Sequence, residues 1–141
     1  MSNVQRIGSG GPWEAKYGYS RLVVAGPHAW VSGCTATIDG VVQGNGDPYT
    51  QMKVALDIAR KALAEAGFEL ADVVRTRWYV AHARDVDAVG RAHAEVFGEC
   101  PPAATMLVVS ALVDPGMLVE VELDAYRTVP AEPAGQAAPA E

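Results

Sequence analysis

The chain has 141 residues, the size of one domain, and half of them are hydrophobic, enough for a real core. Eleven basic residues lie scattered among seventeen acidic ones, for a formal net charge of −6 with no Lys/Arg run. Binding to a phosphate backbone draws on clustered cations, so this balance argues against a nucleic-acid partner.

The start, 1–11, is expected to be loosely ordered and carries no apolar leader region. No apolar run approaches the ~18–20 residues of a membrane span, so no membrane partner is expected and the protein is read as cytoplasmic. Residues 20–25 (SRLVVA) and 29–34 (AWVSGC) are short and rich in β-branched or aromatic residues, and Gly26-Pro27-His28 between them is turn chemistry. They predict a hairpin. Residues 40–48 read as a loop with a short strand at Val41 and Val42.

The clearest helix follows. Asp47 can cap it, Pro48 suits its first turn and Gly67 ends it. Val54, Ala55, Ile58, Ala59, Ala62, Leu63 and Ala66 recur at a spacing of three to four, which predicts one apolar stripe. Residues 73–81 (VVRTRWYVA) read as a strand, and 85–97 as a second helix with Val86, Val89, His93, Val96 and Phe97 on one face. Strands follow at 103–110 and 118–127. The Pro/Ala-rich stretch 128–141 is read as a disordered tail, which leaves 12–127 as the domain. The order is β-β-α-β-α-β-β, an α+β arrangement in which helices cover one face of a sheet.

The last strand alternates. Val119, Val121, Leu123 and Ala125 suit a helix-covered face, while Glu120, Glu122 and Asp124 point to the other side. Arg75 and Arg77 alternate in the strand at 73 and are candidates to neutralise Glu122 and Asp124, leaving Glu120 without an evident partner. The strand at 103 is apolar on both faces (Ala104, Met106, Val108; Leu107, Val109), so burial on both sides is expected. With the helices on one face, a second subunit is the simplest cover for the other. Cys34 and Cys100 match no metal spacing, and neither a metal nor a cofactor is expected.

WVSG at 30–33, QMKVALDIARKALAEAG at 51–67, ADVVRTRWYV at 71–80, VGRAHAEVFG at 89–98 and PPAATMLVVSALVDPGMLVEVELDAY at 101–126 occur in this order. Together, over about residues 17–127, they resemble the reactive intermediate deaminase family, the Rid or YjgF-type proteins. The resemblance implies a chorismate-mutase-like fold with a mixed sheet, and a homotrimer whose sheets form a central barrel. It also implies small-molecule clefts between subunits and cofactor-free hydrolysis of enamines and imines such as 2-aminoacrylate.

Carried over position by position, the family tyrosine matches Tyr19, the Ser-Gly pair matches Ser32-Gly33, and the glutamate matches Glu120. The substrate-holding arginine of the Pro-x-Arg pattern is replaced by Ala104, the nearby cysteine by Met106 and the cleft asparagine by Gly90. Arginine grips a carboxylate with a planar fork and alanine offers nothing. The exchange forfeits roughly 2–4 kcal/mol of charge-assisted binding, so efficient 2-aminoacrylate hydrolysis is not expected. Lys16, Arg21 and Arg91 are the candidate replacement cations, or plain surface charges.

Glu120 is the expected acid/base, or else a structural carboxylate paired with arginine. Tyr19 is read as a hydrogen-bond donor or as an interface aromatic. His93 is read as a second acid/base group or as a hydrogen-bonded core residue. Cys34 is a nucleophile or a buried inert thiol. Trp13 is a lid over the cleft or an anchor for the N-terminus. Two functions follow: an imine/enamine hydrolase, or a non-catalytic small-molecule-binding or chaperone-like trimer. The acidic charge and the lack of a histidine pair argue against a third, ribonuclease.

Overall fold

The computed structural model describes residues 3–127. The expected tail at 128–141 lies outside the described residues. The hairpin forms from β2 (Leu22–Ala25) and β3 (His28–Cys34), closed through Gly26 at a φ of 58°, where glycine is favoured. Two elements precede it: a strand β1 (Val4–Ile7) and a short helix α1 (Pro12–Tyr17). The stretch expected to be loosely ordered therefore carries a strand, antiparallel to β2 with Val4 opposite Ala25 and Ile7 opposite Leu22. The four residues of β1 show little apolar alternation, and β1 is specified by the free edge of β2.

Two short strands, β4 (Thr37–Ile38) and β5 (Val41–Val42), pair with each other and lead into α2 (Pro48–Glu65). The Asp47 carboxylate caps α2, accepting from the Thr50 N–H at 3.2 Å and the Thr50 hydroxyl at 2.7 Å. Gly67 follows with a φ of 83°, the left-handed exit that favours glycine. The buried face runs through Met52, Ala55, Leu56, Ala59, Ala62 and Leu63, so it is rotated from the stripe expected on Val54 and Ile58, which are only half-buried. Apolar spacing establishes that a stripe exists; which row meets the sheet is set by tertiary contacts.

The remaining elements are β6 (Val73–Val80), α3 (Val86–Phe97), β7 (Ala103–Val108) and β8 (Val119–Tyr126). The sheet order is β1-β2-β3-β8-β6-β7, antiparallel throughout except for the parallel pair β6–β7 joined through α3. It is a mixed sheet. The core lies between it and the helices, from Leu22, Val31, Val80, Val119, Val121 and Leu123 of the strands to Leu56, Leu63, Val89 and Phe97 of the helices.

Gln51 is fully buried at the start of α2 and satisfies its whole amide. It donates to the Gly44 carbonyl at 3.1 Å and the Gly116 carbonyl at 3.0 Å, and accepts from the Leu118 N–H at 2.8 Å. The entry to β8 is thus pinned two residues before Glu120.

One subunit alone does not provide the burial expected on both sides of β7. The strand was read as buried on both sides, yet it is the sheet edge, with Leu107 and Val108 about half exposed (50% and 52%). No strand among the described residues pairs with its outer side, so Leu107, Val108 and the edge backbone groups lack a cover within the subunit, while Met106 packs against the core. Among the described residues no helix is long and apolar enough to cross a membrane.

Candidate functional site

Residues opposite one another in the register share a face of the sheet. On the face away from the helices, β8 carries Glu120, Glu122 and Asp124 opposite Tyr79, Arg77 and Arg75 of β6. The Arg77 guanidinium reaches Glu122 at 3.3 Å and Asp124 at 3.4 Å. Arg75 does not share this task as expected; its guanidinium donates to the Thr105 hydroxyl at 3.4 Å. Arg77 therefore serves two carboxylates and Glu120 is left over.

Glu120 sits against an irregularity in β3. Val31 is opposite Leu123 and Cys34 is opposite Val121, so β3 holds an extra residue between them, a bulge spanning Ser32 and Gly33. The glutamate side chain lies over Gly33 so closely that a Cβ there would stand 2.1 Å from Oε2. Arg21 holds the bulge from behind, donating through Nη1 to the Ser32 carbonyl at 3.1 Å and the Gly33 carbonyl at 2.8 Å, with Cys34 Sγ at 3.2 Å. The Ser32 hydroxyl donates to the Ser20 carbonyl at 2.7 Å. Glu120 itself accepts no hydrogen bond from the described residues. Burial raises its proton affinity above the usual carboxylate range, and the negative charge of Glu122 adds to this, opposed by Arg21.

Two open depressions meet beside this bulge. Trp30, Ser32, Gly33, Arg77, Glu122 and Asp124 line one, of about 500 Å³. Arg6, Glu14, Gly18, Tyr19 and Ser32 line the other. Tyr19 thus shares a wall with Ser32, and its phenol makes no hydrogen bond with the described residues. Trp13 does not line either depression. It stacks on Tyr17 at 5.4 Å, with the Lys16 ammonium 5.5 Å from its ring.

The other candidates lie elsewhere. His93 is buried on the helix side, where Nε2 is 2.9 Å from the Thr76 hydroxyl and the ring stacks on Trp78 at 4.2 Å. It is a hydrogen-bonded core residue, the second of its two expected roles: helix periodicity reports that a face is buried, not which side of the sheet that face meets. Register places Ala104 and Met106 opposite Thr76 and Trp78, on the His93 side of the sheet. Gly90 is one turn before His93 on α3, and a Cβ there would meet nothing within 4 Å. Arg91 lies over the Tyr49 ring at 4.9 Å, so of the three candidate cations only Arg21 is near Glu120. Cys34 is buried and burial pushes its thiol up to about 11, so it is a neutral thiol at pH 7. Tyr79 escaped the sequence analysis, although its alternation with Arg75 and Arg77 was the available signal. It faces Glu120 in the register and donates to Glu122 at 3.1 Å.

Burial lowers the His93 ring from 6.5 to about 4. The folded protein therefore binds this proton less readily than the unfolded chain does. The associated stability is fully present above pH 6.5 and is lost as pH falls toward 4, up to roughly 3 kcal/mol. His93→Gln is expected to flatten that part of the stability profile in urea titrations run from pH 7 to 4. An unchanged slope would place the acid sensitivity elsewhere.

Residues 12–127 match the family model described as Endoribonuclease L-PSP. The chain belongs to this family, that of the YjgF/Rid proteins. The crystal structure of Rv2704 from Mycobacterium tuberculosis, a member of the YjgF/YER057c/UK114 family, is similar at 42% identity and a TM-score of 0.79, covering 87% of this chain and 98% of that one. Uncharacterized protein SCO2049 of Streptomyces coelicolor is 49% identical over 124 residues, 88% of this chain and 92% of its own. RutC family protein PH0854 of Pyrococcus horikoshii is 31% identical over 112 residues, 77% and 86% of the two chains. The α+β architecture with a mixed sheet and two main helices is that of YjgF family structures. Among the described residues of this family member, no group of His, Cys, Asp or Glu has the makings of a metal site.

Proposed function

We propose that this YjgF-family chain works as a homotrimer whose inter-subunit clefts take a small imine, enamine or related metabolite, and that Glu120 moves the proton in its cofactor-free hydrolysis. The observation that carries the reading is the Glu120 carboxyl itself: half-buried, accepting no hydrogen bond from the described residues, with raised proton affinity, and seated over Gly33, which lines a depression. A carboxyl held in this way exchanges a proton near neutral pH more readily than an exposed one. For an imine, Glu120 as carboxylate takes a proton from water as its oxygen attacks the C=N carbon. The same proton then goes to nitrogen, giving a carbinolamine; as its C–N bond breaks, the new hydroxyl passes its own proton to the departing nitrogen, so that ammonia leaves and the carbon becomes a carbonyl.

The split of the candidates supports a shared site. Tyr19, Ser32, Gly33 and Glu120 lie on one side of the sheet, whereas Gly90, Ala104 and Met106 lie toward the other side and the β7 edge. One subunit cannot enclose a ligand with both sets; two subunits meeting along the uncovered β7 edge can.

Ala104 stands where the resemblance places a carboxylate-holding arginine, which favours a less acidic ligand and supports a second reading, a binding trimer without turnover. The family description's ribonuclease finds less support. His93 is in the core, His28 packs against Trp30 and Tyr126 at the far end of β8 from Glu120, and His82 is in the turn after β6.

The deciding experiment generates imines in situ with an amino-acid oxidase and follows ammonia release. Acceleration over buffer is expected for at least one imine, uncharged ones included, with a 10²–10⁴-fold loss in Glu120→Gln. No acceleration with any imine sinks the hydrolase and leaves the binding trimer.

A further inference from the structure

The proton-transfer reading leaves Glu122 and Tyr79 unused, and both are placed with care. Glu122 is two residues from Glu120 on the same strand and face. Its carboxylate accepts from the Tyr79 hydroxyl on Oε1 at 3.1 Å and from Arg77 on Oε2 at 3.3 Å, so both oxygens are held. Tyr79 comes from the position directly opposite Glu120, and Arg77 from the position opposite Glu122. A glutamate clamped at both oxygens holds its charge in a fixed place, even where the side chain is part-exposed.

We propose that Glu122 is a positioning residue for Glu120: clamped by Tyr79 and Arg77, it keeps a fixed negative charge beside the Glu120 carboxyl and governs how readily that carboxyl holds its proton. This rests on the reading of Glu120 as the proton-transfer group.

The surroundings of Glu120 are consistent with such a device. The charged and titratable groups facing it are Glu122 from β8, Tyr79 and Arg77 from β6, Arg21 ahead of β2, and Cys34 from β3. Cys34 is neutral at pH 7, and the tyrosine hydroxyl is held in its protonated form by burial and by Glu122. That leaves one repelling charge, Glu122, against the cations Arg21 and Arg77. Arg77 divides its charge between Glu122 and Asp124, which leaves the pair of glutamates short of neutralisation. Glu122 is then the one nearby group whose removal favours ionised Glu120.

The test reads the proton directly and needs no substrate. In protein carrying carbon-13 in its glutamate carboxyls, the Glu120 signal is assigned by its loss in Glu120→Gln and followed against pH. In Glu122→Gln, which keeps the shape and still accepts from Tyr79, the Glu120 midpoint is expected to fall below that of wild type. In Glu122→Asp, which keeps the charge, it is expected to stay closer to wild type than in Glu122→Gln. In Tyr79→Phe, Glu122 loses one clamp and the midpoint is expected to fall by less than in Glu122→Gln. A midpoint unchanged or raised in Glu122→Gln overturns the proposal. So does an equal fall in Glu122→Asp, which would mean packing rather than charge. Should Glu122→Gln fail to fold, an unchanged midpoint in Tyr79→Phe overturns it. The outcome is separate from the ammonia assay: a Glu120→Gln variant of full activity ends the hydrolase reading and leaves these midpoints standing.

Discussion

Replacing Gly33 with alanine is expected to reduce turnover by about a hundredfold while changing folding stability by no more than ~1 kcal/mol. The new Cβ would stand 2.1 Å from Glu120 Oε2 and 2.9 Å from its Cδ, closer than any real contact. The clash falls on the far end of a flexible side chain, so the glutamate can swing aside without disturbing the backbone. Gly33 needs no left-handed φ, so alanine adds no backbone strain. The fold therefore survives and the carboxyl is displaced by something on the order of an ångström, which is enough to lose a near-attack geometry. Thermal melts and ammonia release on the same preparation check this. A variant that unfolds, or one that turns over at the wild-type rate, speaks against the placement of Glu120 over the bulge.

Leu107→Glu is expected to leave the subunit folded and dissociate the assembly. The side chain is half exposed at the outer edge of the sheet, so the subunit does not depend on it. In the proposed trimer a neighbour would cover it. Burying a leucine contributes about 1.5–3 kcal/mol, and an unpaired glutamate in its place adds a desolvation cost of several more. Repeated at each interface of a ring, that exceeds what a micromolar association tolerates. Light scattering should show the monomer, and circular dichroism a native sheet. A trimer of unchanged mass would show that β7 does not form the interface.

The β-β-α-β-α-β-β core was legible because its signals are local. Asp47 and Pro48 open α2, Gly67 closes it, and the alternation through Val119 to Ala125 divides β8 between its two faces. Strand β1 was not legible, since Val4–Ile7 pairs with a free edge and shows no pattern of its own. Glu120 could be found from alternation alone, but not its seat on Gly33: that depends on the β3 bulge, which is set by the pairing with β8. His93 shows the same limit from the other side. Its apolar face was read correctly, and its contacts with Thr76 and Trp78 come from which strand that face meets. For β7, composition indicated burial that one subunit does not provide.

The shared site is the central claim, and the mass of the native particle tests it most directly. Sedimentation equilibrium of the full chain at micromolar concentration is expected to give about three times the 14.8 kDa of the chain. A single species at 14.8 kDa would contradict the account, because Glu120 and the Ala104 wall lie on different sides of one subunit and would then never face the same ligand.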